Sequence, residues 1–166
     1  VAADSVNVGS IATPGGVISG ASGGIRVMNT ADITNGITNT GIISGGTYGI
    51  LVNNSSDISG GIVNSGTISG GSFAIAMGNT SGLNTTITNS GTINGNISGL
   101  YVYGGGDIGG GLNNAAAGVI SGASNALLIA GGSDVTGLIS NAGTISGTVQ
   151  NGIHLTGASD ISGGID

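Results

Sequence analysis

The acidic residues of this chain fall in a column. Asp32, Asp57, Asp107, Asp134 and Asp160 stand 25, 50, 27 and 26 residues apart, and they are five of only seven acids. Carboxylates spaced this way have two uses. Asp107, Asp134 and Asp160, which follow one another without a gap, could share calcium, a hard cation that takes oxygen ligands. Alternatively, each Asp is an Asx-type turn residue that opens a strand and stays in water. The G-G-x-G-x-D nonapeptide of calcium-binding β-rolls is absent. That weighs towards the turn reading, and no cofactor is expected.

Other chemistry is thinner still. His154 is the only histidine, and the chain has no Cys and no Glu. A zinc site or a thiol nucleophile therefore lacks its ligands. With so many serines, a Ser-His-Asp set can be drawn by chance around one histidine. Glycoside cleavage needs two carboxylates of different pKa facing each other across a cleft, which a regular ladder of Asp does not provide. Gly104-Gly105-Gly106 is followed by no Lys-Ser or Lys-Thr, so it is a turn and not a phosphate cradle. The chain is expected not to be an enzyme, with polysaccharide cleavage kept as a remote alternative.

What places these residues is a repeat. Ile18, Ile43, Ile68, Ile93, Ile120 and Ile145 recur at spacings of 25, 25, 25, 27 and 25. Three more columns keep step: Ile25 to Ile153, Ile33 to Ile161 and Ile37 to Ile165, every member being Ile, Leu or Val. Within a unit the rhythm is two, as in Ile50 and Val52, which means strand. The rest is Gly, Ser, Asn and Asp, which are turn residues. In the second unit three strands are predicted, over residues 42–44, 49–53 and 57–63. One such unit cannot bury its own apolar face, whereas a stack of them can, with parallel strands about 4.8 Å apart and like residues above like.

The predicted fold is therefore all-β: a parallel β-helix, or β-solenoid, of about six coils. Residues 17–166 form the solenoid, and residues 1–16 form an irregular first coil or N-terminal cap. Asn39, Asn64, Asn89, Asn114 and Asn141 make a second signature, an amide ladder at a sharp corner. Asn also tolerates the left-handed backbone a corner needs. Ala115-Ala116-Ala117 and residues 148–151 carry the extra residues that break the period. A coil that stops at Asp166 exposes a strand edge, so either more chain follows or this end docks on a neighbour.

Arg26 is the only cation, against a net charge of −6. Nucleic-acid binding draws on Lys and Arg to displace counterions, so DNA and RNA are excluded as partners. No apolar run exceeds that of residues 126–130, far below the roughly 20 residues of a membrane helix. No membrane insertion by this segment is expected. Tyr48 and Phe73 lie one unit apart and should stack. Tyr101 and Tyr103 flank inward Val102 and should both face solvent. Thr67, Thr92 and Thr144 with Ser19, Ser44, Ser69, Ser121 and Ser146 resemble an ice-binding array, but Val17, Ile42 and Val119 interrupt the Thr row.

The unit N-S-G-T-I-S-G-G at residues 64–71, preceded by D-I-S-G-G-I at residues 57–62, resembles the passenger repeats of Gram-negative autotransporters and filamentous-haemagglutinin-like adhesins. The resemblance covers residues 15–166. It implies a right-handed β-helix exported to the cell surface or beyond, serving as adhesin, stalk or aggregation factor. The partners it implies are host or cell-surface glycans or proteins. A second expectation is a protomer that stacks end to end with copies of itself into an extracellular filament.

Overall fold

The computed structural model describes residues 2–4, as backbone alone, and residues 11–166. Among them every regular element is a strand, and every strand pairing is parallel. The chain winds as a β-solenoid of about six coils. Strands of successive coils stack with a register shift equal to the repeat, so that Ile68 lies between Ile43 and Ile93.

Each full coil has four strands, not three. The second coil runs Ile42–Gly45, Tyr48–Asn53, Asp57–Ile58 and Ile62–Asn64. The predicted third strand is broken in the middle, at Gly60-Gly61, where Gly61 takes a φ of +81°. Gly36, Gly111 and Gly164 do the same in their own coils, at +87°, +82° and +83°. A left-handed residue cannot stay in a strand, so the apolar positions before and after it belong to different sheets.

Four sheets result. One stacks the four-residue strands from Val17–Gly20 to Thr144–Gly147, and another stacks the six-residue strands from Gly23–Met28 to Asn151–Thr156. A third stacks the two-residue strands from Asp57–Ile58 to Asp160–Ile161. The fourth stacks the three-residue strands from Ile11–Thr13 to Ile139–Asn141, which end in Asn from the second onward. Ala2–Asp4 pairs with Gly23–Met28, and Ile11–Thr13 pairs with Ile37–Asn39. Residues 1 and 5–10 of the expected cap lie outside the described residues.

All four sheets turn one side to a single core. Ile43, Ile50, Val52, Ile58 and Ile62, the inward set of the second coil, are fully buried. Each contributes about 1.5–3 kcal/mol relative to exposure. The ladder Ile43, Ile68, Ile93 and Ile120 is fully buried too, whereas Ile18 and Ile145, in the first and sixth coils, are partly buried against it.

The two extra residues at Ala115-Ala116-Ala117 leave the stack undisturbed. Ala115 to Gly118 closes a tight turn, with Gly118 N–H donating to the Ala115 carbonyl at 2.7 Å. Asn114 still pairs with Asn141 beyond it. The extra residue in 148–151 likewise sits between the strands Thr144–Gly147 and Asn151–Thr156.

Candidate functional site

Side chains that could meet a partner differ sharply among the four sides of the rod. On the other sides small polar residues recur in part, as in the row Ser19, Ser44, Ser69, Ser121 and Ser146, while Val17, Ile42 and Val119 interrupt the Thr row beside it. On the outer face of the six-residue strands almost nothing repeats. Strand register puts Arg26, Leu51, Ala76, Tyr101, Leu128 and His154 in one row. The row beside it holds Met28, Asn53, Gly78, Tyr103, Ala130 and Thr156. All four aromatic residues, the arginine and the histidine of the chain stand on this face.

The aromatics form one cluster. Tyr48 and Phe73 stack with centroids 6.0 Å apart, as their shared column predicts. Phe73 also stacks on Tyr101 at 4.7 Å, and Tyr101 stacks on Tyr103 at 4.6 Å. Tyr101 and Tyr103 are thus half-buried rather than turned to solvent. The reason is the small residues in the coil before them. A Cβ on Gly78 would lie 2.5 Å from Cζ of Tyr103, so the Tyr103 ring occupies the space that glycine leaves. Its hydroxyl reaches a further coil and accepts a hydrogen bond from Asn53 Nδ2 at 3.2 Å. Outward Leu51 and Ala76 keep only 4% and 0% of their surface exposed. Burial, followed by the nearby phenols of Tyr48 and Tyr101, raises the pKa of Tyr103 above the ordinary tyrosine value.

The Asp column is present, with its carboxylates already engaged by backbone. Asp32 Oδ1 accepts from Asp57 N–H at 2.9 Å, and Asp57 Oδ1 accepts from Gly82 N–H at 2.9 Å. Asp107 accepts from Asp134 N–H at 3.0 Å, and Asp134 from Asp160 N–H at 3.1 Å. Each of these four Asp caps the strand that follows it in the stack. Among the described residues no three acidic, His or Cys groups converge on a point where a metal ion could sit. His154 lies in the outer row, in register with Leu128. Its Nδ1 is buried without a hydrogen-bond partner in the protein.

The Asn column is a continuous amide ladder. Asn39 Nδ2 donates to Asn64 Oδ1 at 2.7 Å; the Asn64–Asn89, Asn89–Asn114 and Asn114–Asn141 steps are each 2.8 Å. Thr13 begins it, donating from Oγ1 to Asn39 Oδ1. Each of these amides also donates to a backbone carbonyl, Asn64 to that of Thr92 at 3.1 Å, for example. These asparagines end strands in extended backbone and none has positive φ. The left-handed corner expected of them lies elsewhere, after the six-residue strands. Asn29-Thr30, Asn54-Ser55 and Asn79-Thr80 build it in the first three coils, and Gly104-Gly105 and Gly131-Gly132 in the next two, all at positive φ.

A third ladder has no counterpart among the sequence expectations. Ser56 Oγ accepts from Ala31 N–H at 3.1 Å, Ser81 from Ser56 at 3.0 Å, and Ser133 from Gly106 at 3.2 Å. Its signal was available: Ser56, Ser81, Ser133 and Ser159 keep the same period, one residue before the Asp column.

No pocket opens on the described surface. No helix is long and apolar enough to cross a membrane. Fold and surface together define a β-solenoid repeat protein. The chain matches no protein-family profile, no curated protein sequence and no solved structure.

Proposed function

We propose that this chain is a non-enzymatic structural and adhesive segment of a secreted bacterial surface protein, akin to an autotransporter passenger. It would act at the cell surface or beyond it. One observation carries the reading: all four aromatic residues of the chain gather in one stacked cluster on one face of the rod. A scaffold alone needs no such gathering. Six coils give a stiff rod about 29 Å long, and several rods in parallel add weak contacts through multivalency. Tyr and Phe supply contact area at low entropic cost, and prior stacking lowers that cost further. The partner is a glycan or protein of a host or neighbouring cell.

The test is adhesion of the purified chain to cells and to glycan and protein arrays, beside a Phe73→Ala/Tyr101→Ala variant. Binding by the native chain that the variant loses, while its coils stay folded by circular dichroism, supports the reading. Equal binding by both chains, or none by either, overturns it. End-to-end assembly into a filament is the competing reading. Sedimentation at rising concentration detects it as growing particle mass.

A further inference from the structure

The chain contains three Asn-Gly pairs, at Asn35, Asn94 and Asn151. In such a pair glycine places no Cβ beside its own amide nitrogen. That nitrogen can then reach the Asn side chain, provided the nitrogen is free and the side chain can turn. The fold treats the three pairs differently. Asn94-Gly95 ends the strand Thr92–Gly95, which is paired on both sides, Gly95 lying between Gly70 and Gly122. Asn94 Oδ1 also accepts from Ser121 Oγ at 2.9 Å. Asn151 opens the strand Asn151–Thr156, its N–H bonded to the Ser124 carbonyl at 3.1 Å and its Nδ2 to Asn125 Oδ1 at 3.1 Å. Asn35-Gly36 lies outside the strands, in the turn between the bridge at Ile33 and the strand Ile37–Asn39. Asn35 is exposed. Among the described residues neither its side chain nor the Gly36 N–H has a hydrogen-bond partner.

We infer that Asn35 is a site of spontaneous covalent modification, selected by the fold from three pairs of the same sequence. The Gly36 nitrogen, on losing its proton to base, attacks Asn35 Cγ. A nitrogen–carbon bond forms and closes a succinimide. The bond from Cγ to the side-chain nitrogen breaks, and ammonia leaves. Water then opens the ring at either carbonyl, giving aspartate or isoaspartate. The net reaction consumes one water, releases one ammonia, and needs no oxidant or enzyme. It adds a carboxylate three residues beyond Asp32, on a chain already acidic. The chain would thus carry a slow, position-specific gain of negative charge at one corner of its first coil. Other coils hold Gly60, Thr85, Gly110, Gly137 and Gly163 at that place, which cannot react this way.

The test incubates the folded chain in mildly alkaline buffer and follows each Asn by peptic peptide mapping with mass spectrometry that separates Asn, Asp and isoaspartate. Asn35 is expected to convert about tenfold or more faster than Asn94 and Asn151, because those two react only after their strands open locally. In urea-unfolded chain the three rates should converge. Asn35→Thr, the residue the third coil carries as Thr85, should abolish the first acidic isoform on isoelectric focusing. The inference is overturned by equal or slower reaction at Asn35 in the folded chain. Persistence of the tenfold preference after unfolding, or an unchanged acidic isoform in Asn35→Thr, overturns it equally.

Discussion

Two sides of one coil obey opposite rules. On the Asn side, residues 64–66 recur as the same Asn and Gly in coil after coil, and the Asn amides bond one another from Asn39 to Asn141. On the outer face of the six-residue strands, positions in the same register hold Arg26, Leu51, Ala76, Tyr101, Leu128 and His154. Backbone geometry is shared, so the coil itself does not dictate the difference. The Asn side is fixed because each residue is the neighbour of its own copies, and a change in one coil breaks contacts in two others. The outer face lies outside that amide ladder, so its residues can differ from coil to coil without breaking it.

That contrast breaks most sharply at Asn64. Asn64→Leu deletes the acceptor of Asn39 and the donor to Asn89, leaving two buried amides short of a partner. Each unsatisfied buried group costs about 1–3 kcal/mol, so about 2–6 kcal/mol should be lost in urea unfolding. A loss below the level of a surface mutation would mean the ladder is decoration. Glycines sharpen the same contrast. A Cβ on Gly66 would lie 2.1 Å from the Gly41 carbonyl oxygen, a backbone atom that cannot swing away. A Cβ on Gly78 meets the Tyr103 ring, a side chain that can. Gly66→Ala should therefore destabilise by about 1–3 kcal/mol through overpacking. Gly78→Ala should cost clearly less and alter the tyrosine fluorescence instead. Equal costs would erase the distinction between the two sides.

The sequence carried the architecture because parallel in-register stacking turns a spacing along the chain into a neighbour in space. The Ile43 and Asn64 columns, the inward set and the outer rows are all legible on that principle. Three features were not. Gly60-Gly61 can lie in a strand or break one, and only the observed left-handed φ at Gly61 decides it. Asn occurs both at Asn54, where the backbone is left-handed, and at Asn64, where it is extended; residue type alone does not separate the two. The ring cluster joins Phe73 to Tyr101, which occupy different columns. The period links equivalent positions and is blind to a side chain that leans across a coil. Ala76 and Gly78, small residues next to the tyrosines in space, were the clue to that lean.

The outer face should yield less when cut. Phe73→Ala removes a half-buried ring from between Tyr48 and Tyr101. About half the burial value of a phenylalanine, about 1–2 kcal/mol, is expected in urea unfolding. A double-mutant cycle of Phe73 with Tyr101 should return a coupling of about 0.5–1.5 kcal/mol, the range for stacked rings. No coupling would reduce the cluster to four independent side chains that happen to be close.

The smallest effect is a dependence on pH. Burial first, and then the phenols of Tyr48 and Tyr101, hold the Tyr103 proton more tightly in the folded chain than in the unfolded one. An unfolded tyrosine ionises near pH 10. Below that pH both states are protonated and Tyr103 adds no slope to the stability curve. Above it the unfolded chain releases the proton first, the folded chain carries more protons, and unfolding becomes easier as pH rises. Tyr103→Phe should flatten that alkaline fall. It also loses the hydrogen bond from Asn53, which lowers the whole curve by a constant and leaves its slope alone. Urea unfolding of both chains on either side of pH 10 separates the offset from the slope. Parallel curves throughout would show that the stacked rings exert no hold on the Tyr103 proton, and that the outer face is as open to water there as its position on the rod implies.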